Sequence, residues 1–149
     1  PRLTGFGDLM NPFEIRALPF THSANTSTVD GRSIDRYPSC DDGQDESGPE
    51  LVYRFSTDRP IHLRMMVLDG QDVDIDVHLL KLDEQAVLNG GDAMNCLARD
   101  DSLIEGRVEP GTYAIVADTY VNRSGSQEGQ FQLIVTVCDD GDPACSNAL

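Results

Sequence analysis

Leu51-Val52-Tyr53-Arg54-Phe55-Ser56 alternates along an extended chain: Leu51, Tyr53 and Phe55 point one way, Val52, Arg54 and Ser56 the other. Asp58-Arg59-Pro60 then turns the chain, and the same period resumes. Ile61, Leu63, Met65 and Val67 form the inward face of a second strand, which Asp69-Gly70 stops. An amphipathic helix would instead repeat its apolar residues every three or four positions.

Outward from this pair the pattern persists. Val73, Ile75, Val77 and Leu79 alternate with Asp74, Asp76, His78 and Leu80 in a third strand. Asn89-Gly90-Gly91-Asp92 reads as a turn, Cys96–Arg99 and Ser102–Val108 as short strands. Glu109-Pro110-Gly111-Thr112 predicts a type II turn, because proline presets φ and glycine accepts a positive φ. Tyr113, Ile115 and Ala117 begin the next strand, Asn122–Glu128 is a polar loop, and Phe131, Leu133, Val135 and Val137 close the set. Before residue 50 the pattern is weaker. Glu14–Phe20 reads as one strand, Thr21–Ser39 as a polar surface connection, and Asp41–Pro49 as an acidic loop. The result is an all-β chain of about eight strands in two packed antiparallel sheets, a β-sandwich.

The chain has 149 residues, room for a single domain, 1–149. It divides into an irregular strand-and-loop part (1–49), the sandwich core (50–137) and a tail (138–149). Asp and Glu number 26 against 11 Lys and Arg, a net charge of −15. Such a surface cannot replace the counterions of nucleic acid, and it is repelled by anionic membranes. No apolar run approaches the roughly 18–20 residues that span a bilayer, so no membrane insertion is expected. Residues 1–20 lack a basic-then-apolar leader pattern, and the start at Pro1 reads as a fragment of a longer chain.

Cys40, Cys96, Cys138 and Cys145 suit two disulfides in an oxidising compartment. Three connectivities are open to four cysteines. Cys138 and Cys145 flank a turn-rich loop that can close locally, which leaves Cys40 with Cys96.

The order of the pieces resembles the pre-peptidase C-terminal (PPC) domains of secreted bacterial proteins. The matching elements are Leu51-Val52-Tyr53-Arg54-Phe55, Asp74-Ile75-Asp76-Val77-His78-Leu79-Leu80, Pro110-Gly111-Thr112-Tyr113 and Gly129-Gln130-Phe131-Gln132-Leu133, spread over about residues 50–137. His78 and Phe131 stand where that family often has tyrosine. The resemblance implies a jelly-roll-like sandwich, secreted or at the cell surface, non-catalytic and often calcium-binding. It also implies an accessory role beside a catalytic domain, with an extracellular protein or polysaccharide as partner.

The acidic cluster around the third strand is the candidate metal site. Calcium takes six to eight hard oxygens, and carboxylates two apart on a strand share a face. Asp72, Asp74 and Asp76 supply that edge, and Asp100 and Asp101 add oxygens from a neighbouring loop. The EF-hand pattern of acids, glycine and a final glutamate is absent. The acidic runs at Asp41–Glu50 and Asp139–Asp142 read as solvated loops. His22 falls in the polar connection, and His62 and His78 lie on strand faces opposite the apolar set. No nucleophile elbow, zincin helix or phosphate loop occurs, so the chain is not read as an enzyme. Tyr113 and Tyr120, with Tyr37, are candidates for an exposed binding platform, although the lack of Trp weakens sugar stacking. The alternative function is a structural or adhesive subunit. It would associate through sheet edges or through the apolar residues of Pro1–Phe20.

Overall fold

The computed structural model describes residues 3–40, 43–82 and 88–138. The strands are β1 (Phe13–Glu14), β2 (Phe20–Asn25), β3 (Glu50–Thr57), β4 (Ile61–Asp69), β5 (Ile75–Leu82), β6 (Leu88–Asn89), β7 (Asp92–Ala93), β8 (Cys96–Asp100), β9 (Leu103–Val108), β10 (Gly111–Thr119), β11 (Val121–Asn122), β12 (Gly125–Ser126) and β13 (Gln130–Val137). A five-stranded sheet runs β1-β3-β10-β5-β8, and a four-stranded sheet runs β2-β13-β4-β9. The pairs β6-β7 and β11-β12 are small separate ribbons. The chain passes from one large sheet to the other at most of its turns, the jelly-roll-like weave. All pairings within the two large sheets are antiparallel except β1 with β3.

The alternation read from the sequence is the inward face of the sandwich. Tyr53, Leu63, Met65, Leu79, Ile115 and Leu133 meet in the core between the sheets. Burying such side chains stabilises by roughly 1.5–3 kcal/mol each. The strand expected at Glu14–Phe20 is instead two: β1 ends at Glu14, and β2 starts at Phe20 and extends into the presumed polar connection. His22 therefore lies on a strand, not a loop, and its Nδ1 is 2.7 Å from the buried Tyr53 hydroxyl. Phe13, Ile15, Leu18 and Phe20 pack on the chain's own core, while Phe6 and Met10 stay 76% and 94% exposed.

The two sheets differ in what covers their outer faces. That of the five-stranded sheet is roofed by residues 29–40 and 43–49, where the sequence reading expected open surface. Ile34 and Tyr37 of this roof join Val52, Leu80, Ala114 and Val116 in a second apolar cluster. The roof is tied down by the Cys40–Cys96 disulfide. Ladder-like bonds add to it: the Asp35 N–H donates to Gly91 O and the Ala93 N–H to Arg36 O. Gly48 lets the roof pass close to the end of β10. A Cβ there would lie 2.7 Å from Thr119 Cβ and 2.8 Å from its carbonyl oxygen. Cys138 is also disulfide-bonded, and its expected partner, Cys145, lies outside the described residues. So do Asp41, Asp42 and Asp139–Asp142 of the acidic runs.

Candidate functional site: a roofed row of acids

Glu50 on β3, Asp118 on β10 and Asp76 on β5 are direct cross-strand partners and form a row across three adjacent strands. All three are buried. Side chains directly opposite one another have Cβ atoms about 4.5–5.5 Å apart, and like charges so placed repel. The roof adds Glu46, 1% exposed, above the row. His78 comes one step along β5 and is fully buried. The Tyr37 ring stacks on it with 3.6 Å between centroids.

Each acid is held differently. Asp118 accepts from the Tyr37 hydroxyl at 2.6 Å and from the Thr119 N–H at 2.8 Å. Glu50 Oε1 accepts from the Ser33 N–H at 2.6 Å, while its Oε2 is buried without a hydrogen bond. Asp76 Oδ2 lies 2.7 Å from the Arg99 guanidinium, and its Oδ1 is buried without a donor. Among the described residues, neither Glu46 oxygen meets an N–H donor. The Asp76 carboxyl faces Glu46, so one proton between the two satisfies both. The nearest His78 nitrogen stands 3.6 Å from Glu46 Oε1.

Burial dominates the electrostatics, because it disfavours the charged form of each group. It raises the Glu46 and Glu50 carboxyls to about 7 and Asp76 to about 8. Asp118 is pushed up as well, first by burial and then by Glu50 and Glu46. Burial lowers His78 to about 3, so it is neutral. The site therefore has more acid than base and is short of positive charge.

The predicted metal ligands separate into three groups. Asp74, Asp76 and Asp101 share one neighbourhood around Arg99, which also contacts Asp101 at 3.0 Å. A guanidinium thus already stands where the acidic cluster needs a cation. Asp100 is used structurally: its Oδ2 accepts from the N–H groups of Ser102 and Leu103 at 2.9 Å, capping the corner between the sheets. Asp72 is an exposed turn residue with φ of 62°. The sequence alone does not single out Glu46, Glu50 and Asp118: the first two fall in the acidic run Asp41–Glu50 that reads as a solvated loop, and Asp118 follows the next strand's apolar residues with no motif to mark it. The available signal was parity. Glu50, Asp76 and Asp118 all alternate away from the core face, but only the roof makes that second face buried.

The tyrosine platform does not form as expected. Tyr113 is 2% exposed, stacked on Phe55, with its hydroxyl donated to Glu109 O. Tyr37 is buried on the roof's inner side, and Tyr120 alone of the three is partly exposed. Among the described residues, one trio of potential ligands brings its atoms within 4.8 Å of one another: His62, Glu105 and Cys138. The Cys138 sulfur is in a disulfide and is no thiolate ligand.

Compared with solved structures, the chain matches the pre-peptidase C-terminal domain of a Bacillus anthracis collagenase at 16% identity and a TM-score of 0.50, over 83% of this chain and 92% of that one. The fold is that of a PPC domain. The periplasmic g-type lysozyme inhibitor PliG of Aeromonas hydrophila shares it at 10% identity and a TM-score of 0.50, over 84% of this chain and 94% of that one. No family model matches the sequence, and no curated protein matches it. Among the described residues, no helix is long and apolar enough to cross a membrane.

Proposed function

We propose that the chain is a non-catalytic accessory module of an exported protein, stabilised by calcium at its acidic end and serving to bind a protein partner. The observation that carries this reading is the roofed row of acids: Glu46, Glu50, Asp76 and Asp118 are buried together, with the Arg99 guanidinium on Asp76. Substrate has no route to groups so enclosed, which speaks against catalysis. Unsatisfied carboxylate oxygens are the donors that calcium prefers. Glu46 and Asp76 would hold the ion, with Asp74 nearby, and calcium would add to the positive charge that Arg99 already supplies to Asp76. The Cys40–Cys96 disulfide suits an oxidising compartment outside the cytosol. Burial of Tyr113 and Tyr37 favours a protein partner over a sugar.

The test is thermal unfolding at about pH 8 in calcium, in magnesium and in chelator. A ligand specific for the folded state at about 100 times its Kd adds about 2.7 kcal/mol, or roughly 5–10 °C for a domain of this size. Calcium should give a rise of that order and magnesium less. Glu46→Gln and Asp76→Asn should abolish the response, while Asp72→Asn and Asp100→Asn keep it. Equal melting temperatures in calcium and chelator would sink the calcium reading.

A further inference from the structure

Among the described residues, none roofs the outer face of the four-stranded sheet. Ile134 on β13, Met66 on β4 and Leu103 on β9 lie directly opposite one another in a row across three strands. Leu68 sits one step further along β4. Leu68 and Leu103 are 51% and 40% exposed, and Met66 and Ile134 are partly exposed. Solvent-facing strand positions are ordinarily polar, so four neighbouring apolar side chains mark a contact surface.

The charge on this face is as unusual as its apolarity. The chain carries −15, yet Glu105 is the one carboxylate among the outward positions of the four strands. It is spent on Arg64 at 3.0 Å. Arg107, further along β9, has Glu109 as its partner at 4.0 Å, so the face is locally neutral. A cationic partner is drawn to the acidic surfaces elsewhere, not here. A partner that is itself strongly acidic can approach only where carboxylates are absent.

We propose that this face is an isologous docking surface for a second copy of the chain. Identical copies repel over most of their surface, and this face is where two can meet with a single carboxylate on each, already paired with Arg64. A two-fold arrangement sets the apolar row of one copy against that of the other. The sheet face measures roughly 20 Å by 20 Å, on the order of 400 Å² per copy, about half of a standard interface. The dimer is therefore weak, and salt that screens the net charge strengthens it. The Debye length shrinks from about 30 Å at 0.01 M to about 3 Å at 1 M. This inference is independent of the calcium site, which lies on the other sheet.

Sedimentation velocity over a wide concentration range, at about 0.02 M and about 0.5 M NaCl, tests it. The mean mass should rise toward twice that of one chain, with a dimer Kd at least about tenfold lower at the higher salt. Met66→Lys and Leu103→Lys should each return the chain to single-chain mass without changing its melting temperature. Leu68→Lys, at the most exposed position, does the same if either variant folds poorly. Single-chain mass at every concentration in high salt would overturn the proposal. So would association that survives these variants but is lost in Phe6→Ser or Met10→Ser, which would place the contact on the N-terminal loop.

Discussion

In calcium-free buffer the unfolding temperature should fall by on the order of 10 °C as the pH is raised from about 5.5 to about 8.5. Most proteins lose stability toward acid because their carboxylates are paired in the fold. Here the buried carboxyls keep their protons longer when folded than when unfolded. Glu46 and Glu50 move from 4.5 to about 7, and Asp76 from 3.8 to about 8; Asp118 moves the same way. Between the unfolded and folded values the native chain binds more protons, so stability declines with rising pH. Their contribution is fully present below the unfolded values and is lost as pH passes through 7 to 8.

His78 opposes them over part of the range. Its value falls from 6.5 to about 3, so the fold gains stability from it as pH rises through that interval and nothing above it. The uncompensated loss therefore lies above about pH 6.5. Each pKa unit is about 1.4 kcal/mol, so several shifted groups amount to several kcal/mol. Differential scanning calorimetry across this range checks the sign. A flat or rising profile would mean that the acids are not sealed as described. Glu50→Gln should flatten the profile without changing the acid-side stability, because the amide stands in for the protonated carboxyl. Calcium should flatten it too if the ion replaces the protons.

Replacing Cys40 and Cys96 together by Ala should lower the unfolding free energy by about 4 kcal/mol. The cysteines are 56 residues apart, so the bond removes a large loop-closure entropy from the unfolded chain. It also anchors the roof, and its loss acts on the acid site as well as on the whole fold. With the roof freed, water reaches Glu46, Glu50 and Asp76, and the carboxyls return toward their ordinary values. The double variant should thus show a shallower pH profile as well as a lower denaturant midpoint. If it kept the full pH slope, the roof would be held by Ile34, Tyr37 and the Asp35–Gly91 bond without help from the disulfide.

Much of the fold was legible because its signal is local. A strand with one face in a core alternates with period two, and Leu51–Phe55, Ile61–Val67 and Phe131–Val137 each show it without reference to the rest of the chain. The N-terminal part was less legible. Phe13, Ile15, Leu18 and Phe20 serve the core from a segment that changes sheets between β1 and β2, so no single period runs through it. The long polar connection hid Ile34 and Tyr37, two isolated apolar residues that carry no period at all.

By itself the sequence determined the inward face of each long strand, the all-β class, the −15 charge and the supply of cysteines. These follow from residue types at spacings of one or two, where chain geometry alone relates them. Tertiary structure decided which acids matter. Glu50, Asp76 and Asp118 are far apart in the chain, and cross-strand register makes them neighbours. Burial of that row depends on a roof pinned by a bond between Cys40 and Cys96. A carboxylate's solvation is set by what lies above it, and alternation cannot report what covers a strand's second face. The same reason leaves Met66, Leu103 and Ile134 uncovered on the opposite sheet, where no segment of the described chain crosses.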